Sequence, residues 1–154
     1  MPADWQIRST SPEDLEAILA IELACAEAPH WSRSTWLQLL EGQQGAAPYR
    51  VAFVAEADDS ILGFAVASCS GELSELESVA VAEVARRKGI GKALCRAVMA
   101  SSRASGAAEI ELEVRASSDG ALNLYHSLGF VEQGRRPGYY QHPIEDAVLM
   151  VARL

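Results

Sequence analysis

The spacing of apolar residues changes character several times along the chain, and each change predicts an element. Ser11-Pro12-Glu13-Asp14 sets a capping hydroxyl, a proline at the first helical position and two acids near the positive end of a helix. Leu15, Ile18 and Leu19 supply an apolar stripe, so this helix is expected to run to about Ala26. A second, short helix begins near Ser32 and carries Trp36, Leu37 and Leu40. After a polar, glycine-bearing loop at 41–48 the period becomes that of strands. Residues 50–57 and 61–68 are β-prone runs joined by Asp58-Asp59-Ser60, which predicts a hairpin, and 73–81 continues as a third strand. Ile90, Ala93, Leu94, Ala97 and Val98 then return to helical spacing, which Gly106 ends.

Strict alternation follows at 109–115, with Ile110, Leu112 and Val114 on one face and Glu111, Glu113 and Arg115 on the other. Ala121, Leu124, Tyr125 and Leu128 make a short helical stripe closed by Gly129. One more short strand is expected near 130–134, and the turn-rich Gln141-His142-Pro143 leads into a last apolar strand at 146–153. Hairpin strands first and a β-α-β-α-β stretch later imply an α/β (α+β) fold, a mixed sheet with helices on both faces.

Composition narrows the class. The chain has 154 residues, 49% of them hydrophobic and 22% charged, an ordinary globular balance expected to fold as one domain over residues 1–154. No uncharged apolar run is long enough for a membrane span, and Met1-Pro2-Ala3-Asp4-Trp5 lacks the basic start and apolar core of a signal peptide, so a soluble cytoplasmic protein is expected. Cys25, Cys69 and Cys95 are three separated cysteines with no paired spacing, which argues against a disulfide framework or a zinc site. A formal charge of −8 speaks against a nucleic-acid partner, while leaving room for a local cationic patch that binds a small anion.

Such a patch exists. Val79-Ala80-Val81 ends a strand, and Arg86-Arg87-Lys88-Gly89-Ile90-Gly91-Lys92 turns into a helix, crowding four of the chain's 13 basic residues into one turn. Helix N-termini leave backbone N–H groups unsatisfied and carry partial positive charge, and glycines let that backbone approach a phosphate. The residues exclude two familiar phosphate loops: no Ser or Thr follows Gly-Lys, and the three-glycine dinucleotide spacing is missing. A solvated basic turn with a glycine bend explains the same letters equally well.

The order of motifs decides. Arg86-x-x-Gly89-x-Gly91 after Ala80-Val81 resembles the acetyl-CoA pyrophosphate loop of the GCN5-related N-acetyltransferases, the GNAT superfamily. Leu112-Glu113-Val114-Arg115-Ala116-Ser117, Leu124-Tyr125, Leu128-Gly129-Phe130, Arg136-x-x-Tyr139-Tyr140 and Glu145-Asp146-Ala147 resemble its ribosomal-protein-alanine N-acetyltransferase branch, over half the chain from about Leu73 to Met150. His30-Trp31-Ser32 is similar to that branch's Pro-Trp-Ser, with His30 in place of proline. The resemblance implies a mixed, mostly antiparallel sheet of about six to seven strands flanked by about four helices.

It also implies a site. Acetyl-CoA is the cosubstrate, without a metal, bound by the backbone of Val79, Ala80 and Val81, by the turn from Arg86 through Arg87, Lys88, Gly89, Ile90 and Gly91 to Lys92, and by Tyr125. Ser118 stands where the family often carries an asparagine that contacts the CoA arm, and Glu83 where proline is common. Glu113 matches the proposed general base and Tyr125 the proposed proton donor to the thiolate, with Glu75 and Glu77 as rival bases. Trp31, Arg136, Tyr139 and Tyr140 match the wall around the acceptor, a protein or peptide N-terminus, and the enzyme is expected as a monomer or weak dimer. Two other readings stay open: acetylation of a small amine, an antibiotic or a lysine, and a CoA-binding module without turnover. Acid-base chemistry favours an α-amine, whose pKa of about 7.7 to 8.0 leaves far more free base at pH 7 than a lysine at about 10.4.

Overall fold

The computed structural model describes residues 4–42 and 49–154. Among these, the elements are β1 (Gln6–Ser9), α1 (Leu15–Ala24), α2 (Arg33–Leu40), β2 (Tyr49–Ala57), β3 (Ser60–Ser70), β4 (Leu73–Val81), α3 (Ile90–Ala104), β5 (Glu109–Arg115), α4 (Asp119–Ser127), β6 (Val131–Tyr140) and β7 (Glu145–Arg153). The seven strands make one sheet in the order β1-β2-β3-β4-β5-β7-β6, in which β4 and β5 pair parallel and every other neighbouring pair is antiparallel. This is the mixed, mostly antiparallel sheet with four helices that the sequence implies.

Two hydrophobic clusters cover the two faces. On one, Ile90, Leu94, Cys95 and Val98 of α3 and Tyr125 of α4 pack on Leu76, Ile110, Leu112 and Val114. On the other, Leu15, Ile18 and Ile21 of α1 and Trp36 and Leu40 of α2 pack on Val54, Phe64, Val66 and Ala80. The alternation of β5 thus separates its side chains as expected: Ile110, Leu112 and Val114 face α3, and Glu111, Glu113 and Arg115 face the other way.

Several boundaries differ from expectation, each for a local reason. The first helix does not start at Pro12: Pro12–Asp14 is a tight 3-10 turn, and α1 ends at Ala24. The Asp14 carboxylate accepts the Ser11 N–H at 2.8 Å and forks onto the Arg8 guanidinium at 2.8 and 2.9 Å, so the turn is tied to the sheet edge. Arg8 sits on β1, a four-residue strand too short and polar for its pattern to be read, which adds to β2. Ser32 caps α2 as expected, its Oγ accepting from Thr35 N–H at 3.2 Å. The short strand expected near 130–134 runs on to Tyr140, because β6 is an edge strand whose exposed, mostly polar residues show no alternation, and an edge position tolerates Pro137. The expected loop at 41–48 falls largely outside the described residues.

Candidate active site

The parallel pair is where the sheet opens. β4 and β5 are hydrogen-bonded only from Leu73–Glu75 to Glu109–Glu111, and beyond that point the strands part. A bulge helps β4 diverge: its register against β3 steps from Ala67↔Leu76 to Val66↔Ser78, leaving Glu77 as the extra residue. The bulge also reverses the side-chain phase of β4, so Leu76 packs toward α3 whereas Ala80, four residues on, packs toward α1 and α2. The resulting cavity of about 410 Å³ is walled by β4 from Glu75 to Val79, β5 from Leu112 to Arg115, Ser118, Ala121 and Tyr125 at α4, the segment 26–29 after α1, and Tyr139 with Tyr140 of β6.

The wall formed by the polar face of β5 is built from charge. Glu113 Oε1 lies 3.4 Å from Arg136 Nη2 at the rim, and Glu113 Oε2 is shielded from solvent with no hydrogen-bond partner. Glu75 faces the same side; its burial and the neighbouring Glu77, Glu111 and Glu113 push its carboxyl above the usual range. Glu77 is committed elsewhere, accepting from Arg50 Nε at 2.7 Å and Nη2 at 3.2 Å. Tyr139 and Tyr140 meet edge to face at 5.1 Å, Arg136 lies over the Tyr139 ring and Arg115 over the Tyr140 ring, and burial together with Glu113 raises the Tyr140 phenol. Trp31 is not brought to this cavity. Its ring packs tilted against Trp36, 5.2 Å between centroids, under the Arg50 guanidinium, supporting the arginine that holds Glu77.

The opposite wall is apolar and backbone-rich. Tyr125 is 8% exposed, its ring held edge-on by Phe130 at 5.7 Å, and burial pushes its phenol above its ordinary value. Ala82 N–H bonds Leu62 O of β3 at 2.8 Å, so by antiparallel alternation Ala80 also turns its backbone groups to β3 while Val79 and Val81 turn theirs to the gap. The three-residue backbone contact expected from sequence therefore narrows to Val79 and Val81, and the Val81 carbonyl accepts from Arg86 Nε at 3.2 Å. Gly63 of β3 is what lets Ala80 come so close, since a Cβ there would stand 2.8 Å from Ala80 O. The basic turn bends through Arg87 at φ 66° and Gly89 at φ 81° into α3, with Arg86, Arg87, Lys88 and Gly89 exposed and Ile90 buried as the anchor. Ser118 heads α4, but its hydroxyl donates to Glu27 Oε1 at 2.7 Å across the cavity mouth.

Sequence reasoning missed three of these participants. Arg50 and Glu27 reach the site from strands or loops far away in sequence, and no spacing signals such a partner. Arg115 was visible in the alternating face of β5 and in the motif at 112–117, but without a role of its own. Among the described residues no cluster of His, Cys, Asp and Glu could hold a metal ion, and no helix is long and apolar enough to cross a membrane.

With the opened parallel pair and the basic turn established, comparison with known proteins is direct. The sequence profile of the acetyltransferase (GNAT) family matches residues 15–130. The chain belongs to this family. The N-alpha-acetyltransferase of Sulfurisphaera tokodaii is 40% identical over 165 residues, spanning 98% of this chain and 94% of its own. The [ribosomal protein bS18]-alanine N-acetyltransferase of Salmonella typhimurium is 33% identical over 142 residues and 91% of both chains. The crystal structure of the ribosomal-protein-S18-alanine N-acetyltransferase from Escherichia coli shares 31% identity and a TM-score of 0.82, covering 97% of this chain and 93% of that one. This GNAT chain is accordingly an N-acetyltransferase.

Proposed function

We propose that this chain, acting as one GNAT domain, transfers the acetyl group of acetyl-CoA to the N-terminal α-amine of a protein, in the manner of the bS18-alanine branch, by direct attack in a ternary complex. The observation that carries the proposal is the slot between β4 and β5, lined on one side by carboxylates and on the other by Tyr125 and an open strand edge. The residues fit acetyl-CoA. Val79 and Val81 offer backbone groups to an extended, amide-bearing arm as an added strand would, and the first turn of α3 with Arg86, Arg87, Lys88 and Lys92 suits a pyrophosphate.

The reaction forms a C–N bond and breaks the thioester C–S bond; the amine loses a proton and the thiolate gains one. Glu113, on the carboxylate wall with one oxygen free of any partner, takes the amine proton directly or through a water. Tyr125, on the other wall, is kept neutral by burial and so holds the proton that the thiolate needs. Ser118, whose proton goes to Glu27, keeps its oxygen lone pairs to accept from an N–H of the CoA arm. Arg136, Tyr139 and Tyr140 line the entry for the acceptor, with Trp31 acting from behind through Arg50 and Glu77.

Mass spectrometry of peptides carrying both a free N-terminal Ala and an internal Lys, incubated with acetyl-CoA, tests this. The label is expected on the α-amine. Label mainly on lysine would overturn the acceptor assignment, and CoA binding without any label would favour a module that has lost turnover.

A further inference from the structure

The face of β5 that presents Glu113 presents Arg115 two residues later, and one nitrogen of its guanidinium is left without a hydrogen-bond partner. Its Nη1 is shielded from solvent and donates to nothing among the described residues, although Arg115 lines the cavity. Its guanidinium carbon lies 4.4 Å from the centroid of the Tyr140 ring, a contact that satisfies none of its N–H groups. Glu145, whose charge is felt by Arg115, spends its oxygens on Ser117, accepting from the backbone N–H at 2.9 Å and from Oγ at 2.8 and 2.9 Å. A buried charged donor left unbonded is costly, and folds keep such groups where a ligand supplies the missing acceptor.

Glu113 Oε2 is orphaned in the same way, so one strand face carries a free carboxylate oxygen and a free guanidinium nitrogen on residues whose backbone positions are one same-face step, about 6.8 Å, apart. An acceptor with its ammonium at Glu113 would bring an oxygen to Arg115 within the next peptide unit. We propose that Arg115 is an acceptor-binding residue that takes an oxygen of the acceptor one peptide unit beyond the reacting amine, making β5 a two-point reader of a polypeptide N-terminus. The oxygen belongs to the first residue's carbonyl or to an acidic side chain at the second position. This rests on the reading of Glu113 as the amine-facing residue.

The test is steady-state kinetics at saturating acetyl-CoA with wild type, Arg115→Met and Arg115→Lys on three acceptors: a peptide beginning Ala-Ala, one beginning Ala-Glu, and the Ala-Ala peptide with its first amide replaced by an alkene isostere that lacks the carbonyl. Arg115→Met is expected to raise the acceptor KM about ten- to a hundredfold, the range for a hydrogen bond to a charged group, while the KM for acetyl-CoA stays unchanged. If the carbonyl is the partner, wild type discriminates against the isostere by a similar factor and Arg115→Met loses nothing further on it. If an acidic side chain is the partner, wild type favours Ala-Glu over Ala-Ala and Arg115→Met abolishes the preference. Arg115→Lys, which keeps the charge and not the fork, shows the same pattern more weakly and carries the comparison should Arg115→Met fail to fold. Equal losses on all three acceptors would reduce Arg115 to a structural partner of Tyr140 and overturn the proposal, as would no loss at all. A wild type that labels none of these α-amines overturns the proposed function, and this inference with it; a wild type that labels them without the coupling overturns this inference alone.

Discussion

The two walls of the β4–β5 gap are made of different material. The wall toward α3 and α4 works through backbone: an unpaired strand edge at Val79 and Val81, a helix N-terminus reached through a left-handed Gly89, and a single neutral phenol at Tyr125. The facing wall is made of carboxyl and guanidinium side chains, Glu75 of β4, Glu113 and Arg115 of β5 and Arg136 of β6, joined by contacts between β5 and β6. Backbone recognition suits a cosubstrate that is always the same molecule, and charged side chains suit an amine that must lose a proton. Substitutions on the two walls should therefore fail in different ways.

The largest effect belongs to the charged wall. Glu113→Gln keeps shape and hydrogen bonding but cannot take a proton, so kcat/KM for an α-amine peptide is expected to fall about 10²-fold or more near neutral pH. Above the amine pKa the substrate supplies its own free base and the deficit should shrink, measured across pH 6 to 9.5. A deficit that stays flat with pH would make Glu113 a positioning residue.

Next comes Tyr125→Phe, expected to cost about ten- to a hundredfold in rate. If Tyr125 protonates the thiolate, the deficit should persist or grow with pH, while affinity for acetyl-CoA stays within a few-fold since the ring and its contact with Phe130 remain. Recovery at high pH like that of Glu113→Gln would give both residues the same role and erase the distinction between the walls.

This difference in material also explains what was legible beforehand. Backbone sites leave a local signature, so Arg86 to Lys92 with its two glycines stood out from its neighbours and led to the family. The amphipathic α3 and the alternating β5 were equally readable because their burial is one-sided. Side-chain sites leave none: nothing in the letters says that Arg50 clamps Glu77, that Glu27 accepts from Ser118, or that Trp31 serves this clamp from outside the cavity. β1 and the outer half of β6 escaped for a related reason, since short or edge strands exposed to water need no apolar alternation. The bulge at Glu77, which opens the gap, is a property of pairing with β3 and appears in neither strand alone.

A smaller loss is expected at the basic turn, where conformation outweighs charge. A Cβ on Gly89 would meet nothing within 4 Å, so the penalty of Gly89→Val is the left-handed φ of 81°, which a β-branched residue adopts only at a cost of about 1 to 3 kcal/mol. Re-forming the turn to avoid that strain should weaken CoA binding about tenfold, read by calorimetry. Arg87→Ala removes one of several exposed charges and should cost less, about two- to fivefold and more at low salt. The reverse ranking would make the turn an electrostatic patch and bring both walls under one principle.

The smallest effect is one of stability, on the charged wall. The Glu75 carboxyl is raised by burial and then by Glu77, Glu111 and Glu113, so the folded state holds its proton more tightly than the unfolded chain does. A folded-state pKa above the unfolded one contributes stability that is fully present below the ordinary carboxylate pKa and is lost as pH rises through the raised value. At pH 7 the charged Glu75 is therefore a burden. Glu75→Gln should raise the melting temperature there by no more than the roughly 2 to 4 °C that 1 kcal/mol gives a domain of this size, since the site is partly solvated, and the gain should vanish toward pH 4. Its rate should stay within a few-fold of wild type if Glu113 is the base. If instead Glu75→Gln loses 10²-fold in rate with the pH recovery expected of Glu113→Gln, and Glu113→Gln does not, the base sits on β4; the strand edge proposed for the cosubstrate would then carry the proton chemistry as well.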